Sequence, residues 1–234
     1  RQGPGSPAET RKALRLLDLP SGRPLAAADI GCGTGEQTLT LARELNGHIT
    51  AVDIFPDFLE RLEERARAAG LSDRVTPSRQ SMESLDFAEE SLDLLWSEGS
   101  IYIMGFEAGL RAWRPFLKPG GYLVASEISW ITPTRPREIQ GYWAEAYPEI
   151  DTIANKINLI ESAGYQATAH FILPAYCWTE HYYQPLEQRF EAFLERHGHS
   201  AEARELVEGE REEIALYRKY GDYYSYVFYI AQRH

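Results

Sequence analysis

Cysteine is nearly missing from this chain: Cys32 and Cys177 are the two in 234 residues. Two thiols cannot build a disulfide framework or a thiolate zinc site, so the default compartment is a reducing cytoplasm. Long hydrophobic runs are missing as well. No stretch approaches the ~20 apolar residues of a membrane-spanning helix, and the polar N-terminal residues do not read as a signal peptide. Positive charge is in deficit, with 24 Lys and Arg against 35 Asp and Glu and a formal net charge of -11. Binding to nucleic-acid backbones or anionic membranes depends on a Lys/Arg field, so this balance excludes both as general partners and leaves room only for a local basic patch. There is no internal repeat and no low-complexity tract. What remains is ordinary globular composition, 44% hydrophobic and 25% charged. The length suits one domain with a sizeable core, or a core carrying one insertion.

Along the chain, strand and helix patterns alternate. Residues 1–20 form a Gly/Pro-rich arm and a helix starting near Ala8, with Leu14 and Leu17 on one face. LAAADI is a buried strand ending in glycines. A helix over 38–46 carries Thr38, Leu41, Ala42 and Leu45, and HITAVDI is the next strand. Pro56 sits where a first-turn proline belongs, ahead of a stripe of Phe58, Leu62, Ala66 and Ala69 that stops at Gly70. RVTPSRQ is a third strand, placed at the sheet edge by Pro77. SLDLLWSE is the fourth. Leu110, Trp113 and Leu117 mark a helix ended by KPGG, YLVASEIS is the fifth strand, and Ile153, Ile157 and Ile160 mark a helix ending at Gly164.

After residue 174 the rhythm breaks. TAHFILP and SYVFYIAQ are strands, but about fifty residues of helical periodicity separate them. One stripe is Leu186, Phe190, Phe193 and Leu194; a second is Val207, Ile214, Tyr217, Tyr220 and Tyr224. The pattern predicts an α/β fold: a mostly parallel seven-stranded sheet covered on both faces. Its last strand is antiparallel, with a helical insertion before it. The expected division is arm and helix 1–20, core 21–174, insertion or lid 175–224 and last strand 225–234.

The densest chemical signal is Asp29-Ile30-Gly31-Cys32-Gly33-Thr34-Gly35, between a buried strand and a helix. Alternate glycines allow positive φ and let backbone approach a ligand without Cβ contacts. Eighteen residues beyond Gly35, Asp53 ends the second strand, with Ile54 beside it. A carboxylate there can accept both hydroxyls of a ribose held across the first strand-to-helix turn. A dinucleotide loop would place its third glycine one residue later, where this chain has Glu36, and a carboxylate beside a pyrophosphate is unfavourable. Asp29 suits a cationic amino group better than a phosphate. The ligand these residues describe is a nucleoside with a positively charged amino-acid tail, which is S-adenosyl-L-methionine.

DIGCGTG resembles motif I of the class I S-adenosylmethionine-dependent methyltransferases, with Asp53 at the family's ribose-binding acid. The resemblance covers about 30–130, through Ser81-Met82 after the third strand and DLLWSEGS after the fourth. It implies a Rossmann-like, doubly wound fold, S-adenosyl-L-methionine as donor and S-adenosyl-L-homocysteine as product. It also implies adenine flanked by Ser81 and Met82. Ser81 departs from the Asp frequent at its position, which shifts adenine recognition towards Met82 packing and a backbone contact. WSEGSIYIMGFEAGL, SEISW, AYPEID, HFILPAYCWTEHYY and KYGDYYSYVFYI are similar to an uncharacterised branch of bacterial small-molecule methyltransferases. That branch brings no substrate with it.

The expected cofactor-binding set is Asp29, Gly31, Cys32, Gly33, Gly35, Asp53, Ile54, Ser81, Met82 and Ser97. For chemistry, Glu98 ends the fourth strand beside Gly99 and can bind the donor's cationic end or act as acceptor-side base. Tyr102 lines the same pocket. His181, with Trp178 and Glu180 close by, is either a base or a packed histidine. Glu127 and Trp130 divide evenly between function and packing. His197 and His199 lack a Cys or acid at ligand spacing, so no metal is expected, and Cys32 reads as a packed residue, not a nucleophile. Nine of 14 tyrosines follow residue 170, which favours a lid over a flat acceptor or a homodimer surface. The acceptor is expected to be a small molecule entering between arm and insertion. Two rivals stand beside the methyltransferase: a non-catalytic S-adenosylmethionine-binding protein and a nicotinamide-dependent oxidoreductase, the latter disfavoured by Glu36. Residues 186–222 hold 10 acidic against 6 basic residues and read as a solvated helical face.

Overall fold

A computed structural model describes residues 2–234. The arm leads into α1 (Pro7–Leu14), capped by Ser6, whose hydroxyl accepts from the Glu9 N–H. β1 (Leu25–Ile30), α2 (Glu36–Glu44), β2 (Gly47–Asp53), α3 (Pro56–Ala68) and β3 (Val75–Arg79) follow. Next come β4 (Leu92–Glu98), α4 (Phe106–Trp113), β5 (Leu117–Trp130), α5 (Arg137–Ala146), β6 (Asp151–Thr152), α6 (Ile153–Ser162) and β7 (Tyr165–Ile172). The insertion comprises α7 (Ala175–Trp178), a wide π-type turn (Thr179–Tyr183), α8 (Gln184–Glu187), α9 (Phe190–Arg196) and α10 (Ala201–Tyr220), and the chain closes with β8 (Tyr224–Arg233).

The main sheet has the order β3-β2-β1-β4-β5-β8-β7, with the short β6 pairing on the end of β5. β1 to β5 are parallel, while β8 runs antiparallel between β5 and β7. This is the predicted doubly wound sheet with its antiparallel last strand. Strand order reverses between β1 and β4, and in such sheets the crevice outside the strands' carboxyl ends there is the ligand site. The central strands are buried on both faces, which is why their sequences are continuous apolar runs with no alternation. Pro77, without an N–H to give, lies in the edge strand β3 as expected. No helix among the described residues is long and apolar enough to cross a membrane.

Several elements differ from expectation. α4 stops at Trp113 because Pro115 follows in a tight turn, and Leu117 is already in β5. Lys118-Pro-Gly-Gly121 is a bulge within that strand: Leu92 pairs with Leu117 and Leu94 with Tyr122, so the four residues swell out opposite Asp93. The inner face of α1 is Glu9, Thr10 and Ala13, which meets polar partners, while Leu14 and, beyond the helix end, Leu17 are half-buried against the core. α5 and β6 were not expected; α5 buries only Ile139, so its periodicity is faint.

The insertion packs by aromatic stacking. Trp178 lies between Tyr217 and Tyr226, with ring centroids 4.7 and 5.2 Å away and both pairs near parallel. Its indole N–H donates to Ser225 Oγ at 3.0 Å. Val207, Ile214, Tyr217 and Tyr220 form the buried stripe of α10. The late tyrosines that suggested a lid or dimer surface turn inward for the most part: Tyr183, Tyr217, Tyr220, Tyr224 and Tyr229 are buried within the chain.

Candidate functional site

The crevice at the ends of β1, β2 and β4 holds a cavity of about 500 Å³, within the 300–1,000 Å³ range of ligand pockets. Its floor is the turn after β1. Gly31 has φ +71° and a Cβ there would collide with Ser100 Oγ; Gly35 has φ +79° and a Cβ would run into Leu62 Cδ1. Neither position admits a side chain. The N–H groups of Gly31 and Cys32 both donate to Val52 O at 2.9 Å, tying the turn to β2.

Asp29 lies under this turn, fully buried, and does not line the cavity. Thr38 Oγ1 donates to it at 2.5 Å and Gln37 Nε2 at 3.5 Å, and Gln37 also donates to Cys32 O at 3.1 Å. Asp29 thus anchors the start of α2 to the glycine turn. Asp53, by contrast, lines the cavity. Its carboxylate accepts from the N–H of Gly33 at 2.8 Å and of Phe55 at 3.0 Å. One donor on each oxygen leaves further lone pairs for a ligand hydroxyl. Ile54 and Phe55, both exposed apolar side chains, form the adjoining rim.

Ser81 and Met82 form the opposite wall, and the Trp113 indole N–H donates to Met82 O at 3.0 Å, fixing that segment from the core. Cys32 also lines the cavity; burial, then the Asp29 and Asp53 charges, push its thiol far above the ordinary range, which removes it as a nucleophile. Glu36 is paired with Arg65, whose guanidinium also donates to Thr34 O at 2.7 Å. Its charge is therefore balanced, and its weight against a pyrophosphate is less than the bare sequence suggests.

At the far end, Glu98 and Tyr102 line the cavity. Glu98 Oε1 accepts from Thr10 Oγ1 at 2.6 Å and Trp96 Nε1 at 2.9 Å, so α1 is latched onto the end of β4. Ser97 is buried beneath and does not reach the cavity; its hydroxyl lies 2.8 Å from Ser100 Oγ, which donates to Ile30 O at 2.8 Å and joins the ends of β4 and β1. The Tyr102 ring meets Tyr147 edge-on at 5.9 Å.

His181 is not brought to this cavity. Tyr183 takes the inward position of the π-type turn and His181 faces solvent, edge-on to Tyr176 at 5.3 Å. Glu127 is fully buried, receiving Lys156 Nζ at 2.9 Å and Tyr147 Oη at 2.6 Å. Burial raises its carboxyl, with Lys156 and Tyr147 acting the other way. Lys156 and Tyr147 were not anticipated; a lysine flanked by the Ile153/Ile157/Ile160 stripe was the available signal. Gln2, Gly3 and Pro4 also line the cavity, so the arm closes one side of it.

Residues 27–121 match the methyltransferase domain family. Methyltransferase GfsG of Streptomyces halstedii is 29% identical over 120 residues, covering 51% of this chain and 42% of its own. The 27-O-demethylrifamycin SV methyltransferase of Amycolatopsis mediterranei is 31% identical over 120 residues, covering 49% and 44%. The chain thus spans less than half the length of these two relatives. Among solved structures, a SAM-dependent methyltransferase from Geobacter sulfurreducens, in complex with S-adenosyl-L-homocysteine, superposes with a TM-score of 0.84 at 20% identity, covering 100% of this chain and 94% of that one. The chain has the Rossmann-like fold of class I methyltransferases, and residues 27–121 match the methyltransferase domain family.

Proposed function

We propose that the chain is an S-adenosylmethionine-dependent methyltransferase acting on a small-molecule acceptor. The observation that carries this reading is the joint arrangement of the glycine turn, Asp53 and the Ser81-Met82 wall around one cavity. The cavity fits the donor: Asp53 offers carboxylate lone pairs for ribose hydroxyls, Met82 and Ile54 offer apolar walls for adenine, and Gly33 offers bare backbone. The Geobacter relative binds S-adenosyl-L-homocysteine, which supports the same ligand here. When bound, S-adenosylmethionine supplies a methyl carbon activated by a sulfonium.

The chain's own residues do the rest. Gly31, Gly33 and Gly35 shape the floor, Asp29 holds that floor to α2 through Gln37 and Thr38, and Asp53 fixes the ribose. Glu98, latched by Thr10 and Trp96, supplies negative charge at the donor's cationic end, while Tyr102 lines the acceptor side. The arm and α1 exclude water from the reacting centre. A carboxylate accepting two ligand hydroxyls contributes about 1.5–3 kcal/mol, so Asp53→Ala weakens S-adenosyl-L-homocysteine binding by roughly 10- to 150-fold in calorimetry. Binding of NAD in place of S-adenosyl-L-homocysteine, or unchanged affinity in Asp53→Ala, overturns the assignment.

A further inference from the structure

The cavity carries charge of one sign. Glu36, Asp53, Glu83 and Glu98 line it, and no Lys, Arg or His does so among the described residues. Each of these carboxylates is already engaged or open to water. Glu36 is paired with Arg65, and Asp53 is held to the glycine turn by the Gly33 N–H. Glu98 accepts from Thr10 and Trp96. Glu83 is exposed on the wall that Ser81 and Met82 form, where its N–H donates to Ser81 Oγ at 3.3 Å. An anionic ligand here meets acids and no counter-ion. A cationic one finds its carboxylates taken and lies against the donor's sulfonium.

The same cavity displays apolar side chains. Large hydrophobic residues left exposed one by one are ordinary on a protein surface, and Leu16, Ile172 and Leu206, in separate parts of the chain, are of that kind. Ile54, Phe55, Tyr102 and Ile103 are 48%, 56%, 43% and 60% exposed, and all four line this one cavity. Exposed apolar surface gathered around a concave site marks where a ligand lies. Ile54 is taken by the adenine wall. Tyr102 and Ile103 stand on the tight turn after β4, which is built to hold them outward. Ile101 is fully buried beneath them, and the N–H groups of Ile103, Met104 and Gly105 donate back to Ser100 O, Ile101 O and Tyr102 O. Behind the Tyr102 ring, Tyr147 meets it edge-on at 5.9 Å and is itself fastened to Glu127 by a hydrogen bond of 2.6 Å. Apolar groups fixed in water by a braced turn are unfavourable until something apolar covers them.

We propose that Tyr102 and Ile103 form the acceptor subsite, and that the acceptor presents an uncharged apolar ring to them. Only Gly99, Ser100 and Ile101 separate this pair from Glu98 along the chain, so the subsite adjoins the end of the cavity assigned to the donor's cationic part. Selection there comes from covering the two side chains and from the lack of any partner for a charge. Naming the ligand an acceptor rests on the methyltransferase reading; the apolar subsite rests on the residues that line the cavity.

The test is a set of calorimetric titrations of the full chain near neutral pH, with and without saturating S-adenosyl-L-homocysteine. The probes are 2-naphthol, 2-naphthoate and 2-naphthylmethylamine, which carry one ring system in uncharged, anionic and cationic form. With S-adenosyl-L-homocysteine present, 2-naphthol binds most tightly of the three, and the anion binds at least about tenfold more weakly. Ile103→Asp weakens 2-naphthol by about tenfold and Ile103→Val keeps it within about twofold, while S-adenosyl-L-homocysteine affinity stays within about twofold in both. Leu206→Asp, the same change at an exposed apolar residue that does not line the cavity, leaves 2-naphthol binding unaltered. A charged probe that binds as tightly as 2-naphthol, or no 2-naphthol binding at about 1 mM, overturns the proposal. So does 2-naphthol affinity that is indifferent to Ile103→Asp, or as sensitive to Leu206→Asp. Any of these results beside intact S-adenosyl-L-homocysteine binding leaves the donor reading standing. Binding of 2-naphthol that Ile103→Asp weakens, without any S-adenosyl-L-homocysteine binding, removes the donor assignment and leaves the apolar subsite.

Discussion

Asp29, Asp53 and Glu127 are the same functional group on three strands of one sheet, and their surroundings divide their work. Asp29 is enclosed and fully engaged by α2, Asp53 opens onto the cavity, and Glu127 is sealed against Lys156. The Lys156–Glu127 pair, with side chains 1% and 0% exposed, is an ion pair withdrawn from water. Its two ions are tolerable only together, because the penalty for burying each is offset by the other and by Tyr147. Lys156→Met leaves Glu127 charged or forces it to take a proton, and lowers unfolding free energy by about 3–5 kcal/mol in urea titration. Adding Glu127→Gln to Lys156→Met removes the stranded charge and recovers part of that loss. A double variant at least as unstable as Lys156→Met alone shows that the pair is not coupled as described.

Among elements, the insertion depends on one side chain more than on its own helices. Trp178 joins α10, through Tyr217, to β8, through Tyr226 and Ser225. Trp178→Ala opens a cavity at that junction and costs about 3–5 kcal/mol. The loss is local in character: amide exchange accelerates across 184–220, while β1, β2 and β4 keep their protection. Uniform acceleration through the whole sheet contradicts an insertion that can loosen by itself. The same elements show what a sequence can disclose. LAAADI, HITAVDI and SLDLLWSE were legible because two-sided burial demands continuous apolar runs, and Pro77 announced an edge. That the glycine turn and Asp53 share one cavity was legible because both are fixed by local spacing along one β-α-β unit. α5 was not, since Ile139 alone is buried, and the KPGG bulge looked like a helix stop because its register is set by β4. Tyr147, Lys156 and the inward Glu210 and Glu213 come from segments that only tertiary packing unites, and His181 lost the inner position to the bulkier Tyr183.

For the whole molecule, the net charge of -11 hides carboxylates that pull stability in opposite directions with pH. Burial alone would raise Asp93, but Arg23, the Ala26 N–H and Lys118 outweigh it and hold its carboxyl well below the usual range. The unfolded chain therefore binds the proton first, and this contribution, complete above the unfolded value of ~3.9, is lost as pH falls through the folded one. Glu210 and Glu213 are raised by burial. For them the folded chain binds the proton first, so stability falls as pH rises from the unfolded value of ~4.3 through the raised folded value. Thermal midpoints between pH 3 and 8 accordingly peak on the mildly acidic side. Asp93→Asn flattens the acid limb, and Glu213→Gln flattens the neutral limb; a neutral limb unchanged in Glu213→Gln shows that its carboxylate carries no such cost.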